Sequence, residues 1–250
     1  MELYASSSLL IGNLILAHAL AAIGRLAAGI AHEVRNPLGV IRASASMIRE
    51  HFTAAEEAYR ACDFIREEIY RLNSLITALL NFARPAELRL QSVMVHEVID
   101  KALLLTKDEL QRRDITVIRE GDRQVTSVMA DPDLVAQVVF GLLTNAAEAI
   151  GSHGQITLRT RGIREDVSVE VIDTGPGIAP ADAERVFEPF FTTKPSGTGL
   201  GLPMAARIVQ AHGGAIEVVT NTSTETIRSG ARFRLRLPVR GPLTMQEQAE

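Results

Sequence analysis

The sequence contains little cysteine and no long apolar run, and each shortage excludes a class of protein. A single cysteine, Cys62, allows neither an intramolecular disulfide nor a cysteine-based metal site, and fits a reducing, cytoplasmic setting. The most apolar stretch, residues 9–23, carries Asn13 and His18. It falls short of the roughly 18 apolar residues expected of a spanning helix. We therefore expect no membrane segment in this chain.

An excess of charge of one sign is also missing. Lys and Arg number 26 against 30 Asp and Glu, so the formal net charge is −4. This balance argues against a broad basic surface, and hence against a nucleic-acid partner. Hydrophobic residues make up 46% of the 250 residues, which is enough for a buried core. The length allows one large domain or two modest ones.

Apolar residues recur at alternating steps of four and three in the first third of the chain. One series comprises Leu16, Leu20, Ile23, Ala27, Ile30, Val34, Ile41 and Ile48, and the other comprises Ala58, Cys62, Ile65, Ile69, Leu72, Ile76 and Leu79. Such heptad seams predict two long helices, with a turn at residues 51–55 where the pattern breaks. A hairpin of two such helices leaves one apolar edge uncovered. A second copy would close it into a four-helix bundle, so we predict a homodimer.

The heptad pattern stops at Arg84-Pro85, and the chain then becomes mixed α/β. Helices are predicted over residues 95–110, 132–150 and 203–211, and strands over 115–119, 126–130, 155–161, 167–172, 215–221 and 231–237. The expected segments are an N-terminal coiled-coil helix over 1–22, a helical domain over 23–86, an α/β domain over 87–240 and a flexible tail over 241–250. Residues 84–90 would form a hinge between the domains.

His32 falls outside the seam of the first helix, so it points into solvent. Asn36 is four residues further on and shares its face. Glu33 is adjacent and could hold one ring nitrogen while the other attacks. Pro37 crowds the carbonyl of Glu33, which predicts a bend at the reactive side chain. The alternative is an exposed histidine on a helix that tolerates a proline.

Asp173 closes a predicted strand on the buried face that the alternate valines of residues 167–171 share. A buried carboxylate needs a hydrogen-bond donor. The local sequence places no Lys or Arg to supply one, whereas the exocyclic amine of adenine would. Gly175 and Gly177 would let the backbone approach the base closely. The alternative is a simple Asp-Gly turn after a strand.

Gly197, Gly199 and Gly201 lead into a predicted helix, where N–H groups and the helix dipole form an anion site. Their spacing fits neither a P-loop nor the dinucleotide fingerprint. Asn145, on the helix over 132–150, offers a neutral oxygen that can complete a Mg²⁺ shell beside phosphates and water. Each signal is weak alone, since a glycine-rich loop and an asparagine on a polar helix face are common.

Together these segments resemble the conserved boxes of the histidine kinases, in particular the branch of the nitrogen-regulation sensor kinases. Residues 32–37 match the H box, and Asn145 matches the N box. The G1 box is matched by Asp173, Gly175 and Gly177, and the F box by Phe187, Phe190 and Phe191. The G2 box is matched by Gly197, Gly199 and Gly201. The order and spacing hold from Gly24 to about Pro238.

The resemblance implies an α+β protein of two domains. A dimeric helical hairpin, forming a four-helix bundle, would precede an α/β sandwich of the histidine kinase, gyrase and MutL type that binds ATP. His32 would be the phospho-acceptor, Glu33 the general base, and Asn36 the residue that positions water when the protein acts as a phosphatase. The phosphoryl group would pass to an aspartate of a response regulator.

The resemblance also implies ATP and Mg²⁺ as cofactors, with Asn145 as metal ligand. Lys194, in the lid after the F box, is a candidate contact of the γ-phosphate, or else an exposed loop lysine. The chain would be cytoplasmic, by itself or as the cytoplasmic part of a longer membrane-bound sensor.

One position departs from the family pattern. The family usually has a second asparagine four residues before Asn145, and here that residue is Gly141. Related ATPases carry a glutamate there to activate water, which Gly141 cannot do. A stand-alone ATPase is therefore disfavoured, while a catalytically weak ATP-binding scaffold of the same fold stays open as the alternative.

Overall fold

The computed structural model describes residues 32–54, 56–83, 88–121, 127–194, 197–219 and 230–242. The chain divides into two compact units. One consists of Met1–Pro85 with Lys194–Leu200, and the other of Ala86–Thr193 with Gly201–Glu250. The predicted helix over 1–22, the tail beyond residue 242 and residues 84–87 of the predicted hinge lie outside the described residues.

The first unit contains the predicted helical hairpin. Helix α1 is described over residues 32–49, and helix α2 spans Glu57–Ala83. In the turn between them, the carboxylate of Glu56 accepts hydrogen bonds from the backbone N–H and the hydroxyl of Thr53, at 2.6 and 2.8 Å. These bonds lower the pKa of Glu56 and close the turn immediately before α2.

The hairpin buries only part of the apolar surface of its two helices. The buried residues are Leu38 and Ala45 on α1 and Cys62 and Ile69 on α2, each at most 8% exposed. Other predicted seam residues keep 37–52% of their surface exposed, namely Val34, Ile41, Ile48, Ile65 and Leu72. Val34, Ile41 and Ile48 therefore lie on the apolar edge that the hairpin leaves uncovered, and not in the seam between α1 and α2. Leu38 and Ala45 fill that seam, and the hairpin carries a second apolar stripe on its surface.

The second unit is built on a mixed sheet. Its strands are β2 (Ile115–Gly121), β4 (Gly154–Ile163), β5 (Asp166–Asp173), β6 (Ala215–Val218) and β7 (Arg232–Pro238), in the order β2-β4-β5-β7-β6. Strand β2 runs parallel to β4, and the other pairs are antiparallel. Two further strands, β1 (Gln91–Val93) and β3 (Val128–Ala130), form a separate antiparallel pair.

Three described helices pack on the sheet face that carries Val167, Val169 and Val171: α3 (Val95–Arg112), α4 (Pro132–Ile150) and α5 (Gly201–Ala211). This arrangement confirms the predicted α/β sandwich. Of the described helices, only α4 is long and apolar enough to cross a membrane. Its buried residues include Leu142, Leu143 and Ala147, so α4 is the central core helix of this unit.

The predicted elements differ from the structure mainly at their ends. Strand β1 was missed, because three residues carry too short an alternation to be distinguished from a loop. Helix α5 begins at Gly201 and not at Pro203, so Pro203 lies within the first helical turn. Strand β6 ends at Val218, and residues 220 and 221 of its predicted range lie outside the described residues.

The opposite face of the sheet carries a row of alternating charges that crosses all its strands. In register, Glu120 pairs with Arg159, Arg159 with Glu170, Glu170 with Arg234, and Arg234 with Glu217. Glu170 is the centre of this row, which we call the charge row. Its side chain is 5% exposed, and its carboxylate accepts hydrogen bonds from Arg232 and Arg234 at 2.7–2.8 Å.

Candidate functional site

His32 lies on α1 with its side chain exposed, as predicted from its position outside the seam. Three residues further along α1, Arg35 donates a hydrogen bond to the hydroxyl of Thr77 on α2, at 2.9 Å. Pro37 continues the helix but has no N–H to donate to the carbonyl of Glu33. The helix that carries His32 is therefore anchored to α2, while the imidazole itself is exposed to solvent.

Asn36 approaches the imidazole of His32, with its amide nitrogen 3.5 Å from Nδ1. No hydrogen bond or ion pair joins Glu33 to another described residue. Turning the amide of Asn36 by half a rotation places its oxygen at Nδ1, where it accepts the Nδ1–H. In that arrangement Nδ1 carries the proton and the lone pair is on Nε2.

Asp173 ends β5 and is only 5% exposed, as the strand alternation predicted. Its Oδ1 accepts hydrogen bonds from the backbone N–H groups of Gly175, at 2.8 Å, and Ala231, at 3.1 Å. Two backbone donors thus hold one oxygen of the carboxylate, while a carboxylate can accept several bonds on its two oxygens. Ala231 was not among the predicted site residues, because it is 58 positions away along the chain.

The glycines after Asp173 serve the packing of their turn. A Cβ on Gly175 would lie 2.9 Å from Oδ1 of Asp173 and 3.2 Å from the Cβ of Ala149 on α4. Gly177 has φ of +83°, which a residue with a side chain adopts only with strain. Gly230 was missed, yet a Cβ there would lie 1.9 Å from the carbonyl oxygen of Asp173. The turn therefore packs closely against α4 on one side and against the residues before β7 on the other.

Asn145 is half-buried on α4, one turn before Ala149 and hence near the Asp173 turn. One turn before Asn145, a Cβ added to Gly141 would meet no atom within 4 Å. The face of α4 that carries Gly141 and Asn145 is thus open at the position where the family usually has a second asparagine.

The glycine-rich segment that precedes α5 is divided between the two units. Gly201 is the first residue of α5, in the second unit with Asn145 and Asp173. Lys194, Gly197 and Gly199 are grouped with the first unit. In this segment the carbonyl of Lys194 accepts a hydrogen bond from the N–H of Gly197, at 3.1 Å, and Gly199 has φ of +65°.

The phenylalanines of the predicted F box differ in burial. Phe187 packs against the core, edge-on to Phe233 with 6.4 Å between ring centroids. Phe190 is 62% exposed and has φ of +69°, an uncommon conformation for a bulky side chain. Arg185 lies over the ring of Phe191, at 4.4 Å from its centroid.

Two family models match the chain. The family described as "Histidine kinase-, DNA gyrase B-, and HSP90-like ATPase" matches residues 130–241, which include Asn145 and Asp173. The family described as "His Kinase A (phospho-acceptor) domain" matches residues 22–88, which include His32.

Curated relatives are similar over most of this chain. The sensor histidine kinase ZraS of Escherichia coli O157:H7 is 39% identical over 220 residues, which is 88% of this chain and 47% of ZraS. The sensory histidine kinase/phosphatase NtrB of Rhizobium meliloti (strain 1021) is 32% identical over 239 residues, which is 89% of this chain and 60% of NtrB. The chain thus spans about half the length of the curated relatives it matches.

Solved structures resemble it as well. The catalytic domain of the histidine kinase ThkA is 31% identical with a TM-score of 0.55, covering 61% of this chain and 97% of that domain. ThkA in complex with the response regulator protein TrrA is 27% identical with a TM-score of 0.66, covering 89% of this chain and 63% of ThkA. Full-length ShkA in complex with AMPPNP is 26% identical with a TM-score of 0.70, covering 89% of this chain and 47% of ShkA.

Proposed function

This chain belongs to the histidine kinase family, and from that premise we propose that it uses ATP to phosphorylate its own His32 and passes the phosphoryl group to an aspartate of a response regulator. The family matches confirm the resemblance and the two-domain fold predicted from the motifs. The observation that carries the proposal is the exposed imidazole of His32, with Asn36 at its Nδ1, in a chain whose second unit has the family's ATP-binding fold.

In the proposed transfer, Nε2 of His32 attacks the γ-phosphorus of ATP. The N–P bond forms as the bond from the γ-phosphorus to the bridging oxygen breaks, and ADP leaves. The phosphorylated ring then loses its Nδ1 proton, for which Glu33 acts as the general base once its carboxylate has replaced the Asn36 amide at Nδ1. Positioning and electrostatic stabilisation supply most of the rate in such transfers. Asn36 contributes by holding the tautomer whose Nε2 is unprotonated, and by positioning water in the phosphatase reaction.

The same proposal includes a response regulator as partner and a cytoplasmic location, by itself or within a longer sensor. ThkA, which is similar over 89% of this chain, is known in complex with the response regulator TrrA. ShkA is known in complex with AMPPNP. These two complexes support ATP and a receiver domain as the substrates of this chain.

The test is incubation of the chain with γ-labelled ATP and Mg²⁺. Label that is released by acid and kept in base identifies a phosphohistidine, as proposed. Absence of label from a chain that still binds ATP would favour the alternative, a catalytically weak ATP-binding scaffold. Gly141 is the observation that favours that alternative. Label stable in acid would place the phosphate on a different type of side chain.

We propose that the adenine amine donates to the carboxylate of Asp173, and the Asp173→Asn variant tests this contact. Asparagine keeps the shape and can still accept from Gly175 and Ala231 through one oxygen, but its second polar group is a donor. ATP affinity should fall about 10- to 100-fold, the effect of about 1.5–3 kcal/mol for a lost charge-assisted hydrogen bond. Titration of a fluorescent ATP analogue measures it, and an unchanged affinity contradicts the contact.

Mg²⁺ would neutralise phosphate charge in this site, with Asn145 as its protein ligand. Among the described residues no group of three or more His, Cys, Asp or Glu could hold a metal ion. A site made of one amide, phosphates and water still fits Mg²⁺, which keeps most of its water in nucleotide sites. The site would therefore supply fewer protein ligands to Mg²⁺ than the usual family pattern, which has a second asparagine.

The Gly141→Asn variant should bind Mg²⁺ with ATP more tightly. The position has room for a side chain and lies one turn before Asn145, so an added amide oxygen would face the same ligand. We expect the half-saturating Mg²⁺ concentration for ATP-analogue binding to fall about fivefold, corresponding to about 1 kcal/mol. Gly141→Ala is the control, because it raises helix propensity even more than asparagine does but adds no oxygen. An equal effect of both variants would contradict the metal role.

We also propose that the chain is a homodimer through the hairpin. The second apolar stripe, formed by Val34, Ile41, Ile48, Ile65 and Leu72, is exposed in the single chain and spans both helices. Burial of such a stripe against a second copy would complete a four-helix bundle. Sedimentation of the chain at several concentrations measures its oligomeric state, and a monomer at all of them would contradict this proposal.

A further inference from the structure

Asp131 uses all its hydrogen-bonding groups in the interior of the second unit. It is 6% exposed and caps α4, where Oδ1 accepts from the N–H groups of Asp133 and Leu134 at 3.1 Å. Its Oδ2 accepts from the N–H of Arg89 at 2.9 Å. Its carbonyl accepts from the N–H of Val135, as in any helix start.

The remaining group, the N–H of Asp131, donates to Nε2 of His212 at 3.0 Å. His212 is 1% exposed and follows the last residue of α5. Its Nδ1 lies 2.7 Å from the carbonyl oxygen of Ile208, to which it must donate because a carbonyl has no proton. Both ring nitrogens are thus assigned: Nδ1 carries the proton and Nε2 is the acceptor.

These bonds join three parts of the second unit at one buried point. Arg89 lies at the end of the predicted hinge, on the chain that enters the unit, Asp131 is the N-cap of α4, and His212 directly follows α5. Asn145 lies 14 residues along α4 from Asp131, which is about 21 Å at 1.5 Å per residue. Gly201 lies 11 residues back from His212, about 16 Å along α5. Each helix therefore runs from this point to a motif of the proposed ATP site.

We propose that Asp131 and His212 are positioning residues for the ATP site, and that through them the position of the entering chain at Arg89 is coupled to nucleotide affinity. This inference rests on the proposed function. Burial opposes ionisation of Asp131, yet the N–H groups of Arg89, Leu134 and Asp133 lower its pKa, so the carboxylate stays charged at neutral pH. A charged acceptor holds Arg89 more firmly than a neutral one.

A matched pair of substitutions separates the two bonds of His212. In His212→Asn, the side-chain amide lies near the position of Nδ1 and can still donate to Ile208, but nothing accepts from Asp131. In His212→Gln, the longer amide reaches the position of Nε2 and can accept from Asp131, while the bond to Ile208 is lost. Each variant removes one buried hydrogen bond and part of the ring, so their losses of stability should be similar.

The two variants should differ in nucleotide binding. For His212→Asn we expect affinity for a fluorescent ATP analogue to fall about tenfold, and the amide proton of Arg89 to exchange faster with solvent. For His212→Gln we expect affinity within twofold of wild type and wild-type exchange at Arg89. Circular dichroism confirms that both variants are folded at the temperature of the titration.

Equal affinities of the two variants would overturn the proposal, because a role in stability alone predicts no difference between them. Wild-type affinity in His212→Asn would overturn it as well. If the wild-type chain itself fails to bind the analogue, the proposed function fails. Exchange at Arg89 then still tests the link between His212 and the entering chain: faster exchange in His212→Asn than in His212→Gln supports that link, and equal rates overturn it.

Discussion

The His32→Gln variant should incorporate no phosphate from ATP. Glutamine resembles the imidazole in size and polarity but cannot act as the nucleophile that forms a stable N–P bond, so the loss should be complete within detection. The side chain is exposed on α1, so the substitution should leave the fold and the ATP affinity of the second unit unchanged. Autophosphorylation with γ-labelled ATP, together with an ATP-analogue titration, measures both quantities.

His51→Gln provides the matched control. His51 is also exposed, lies just after α1 in the same unit, and is held by a hydrogen bond to the carbonyl of Met47 at 2.8 Å. The His51→Gln variant should therefore incorporate as much label as the wild type. Persistent label in His32→Gln would show that another residue is the acceptor, while loss of label in both variants would point to a general effect on the hairpin.

The elements that the sequence predicted well are those whose burial follows a local period. Helix α4 was predicted over its full length, since proline stands at its start and apolar residues recur along it. Strand β5 was predicted within one residue at each end, and the same alternation placed Asp173 on the buried face. The burial of these elements follows from residues close by in the sequence, so the local hydrophobic pattern predicts it.

Features that depend on distant neighbours were not predicted. Periodicity cannot tell which of two adjacent apolar stripes, that of Leu38 or that of Ile41, faces the partner helix. The bond from Asp131 to His212 joins residues 81 positions apart, and no local pattern distinguishes His212 from an ordinary residue at a helix end. Similarly, the close approach of Gly175 to Ala149 on α4 was not predicted, because the two residues are 26 positions apart along the chain.

The Glu170→Gln variant should lose about 3–5 kcal/mol of unfolding free energy, the cost of removing one partner from a buried ion pair. Its carboxylate lies among Arg159, Arg232 and Arg234, and the side chain is 5% exposed. Glutamine keeps the shape but leaves the three guanidinium groups without their central anion. Urea denaturation followed by circular dichroism measures the loss.

Glu217→Gln, at the end of the charge row, is the control for a general effect of removing negative charge. Its side chain is 46% exposed and bonds only to Arg234 among the described residues. An exposed pair of this kind contributes at most about 1 kcal/mol. Equal losses in the two variants would show that burial does not govern the contribution of the charge row.

The dependence on pH provides a second measurement of the same interaction. Burial alone would raise the pKa of Glu170, but the hydrogen bonds and charges of Arg234 and Arg232 outweigh it and lower the pKa. A carboxyl group with a lowered folded pKa stabilises the fold above its unfolded pKa of about 4.3 and loses that contribution as pH falls through the folded value. The difference in unfolding free energy between wild type and Glu170→Gln should therefore be constant from pH 7 to about 5 and decrease below about 4. A difference that already declines between pH 7 and 6 would assign the effect to another titrating group.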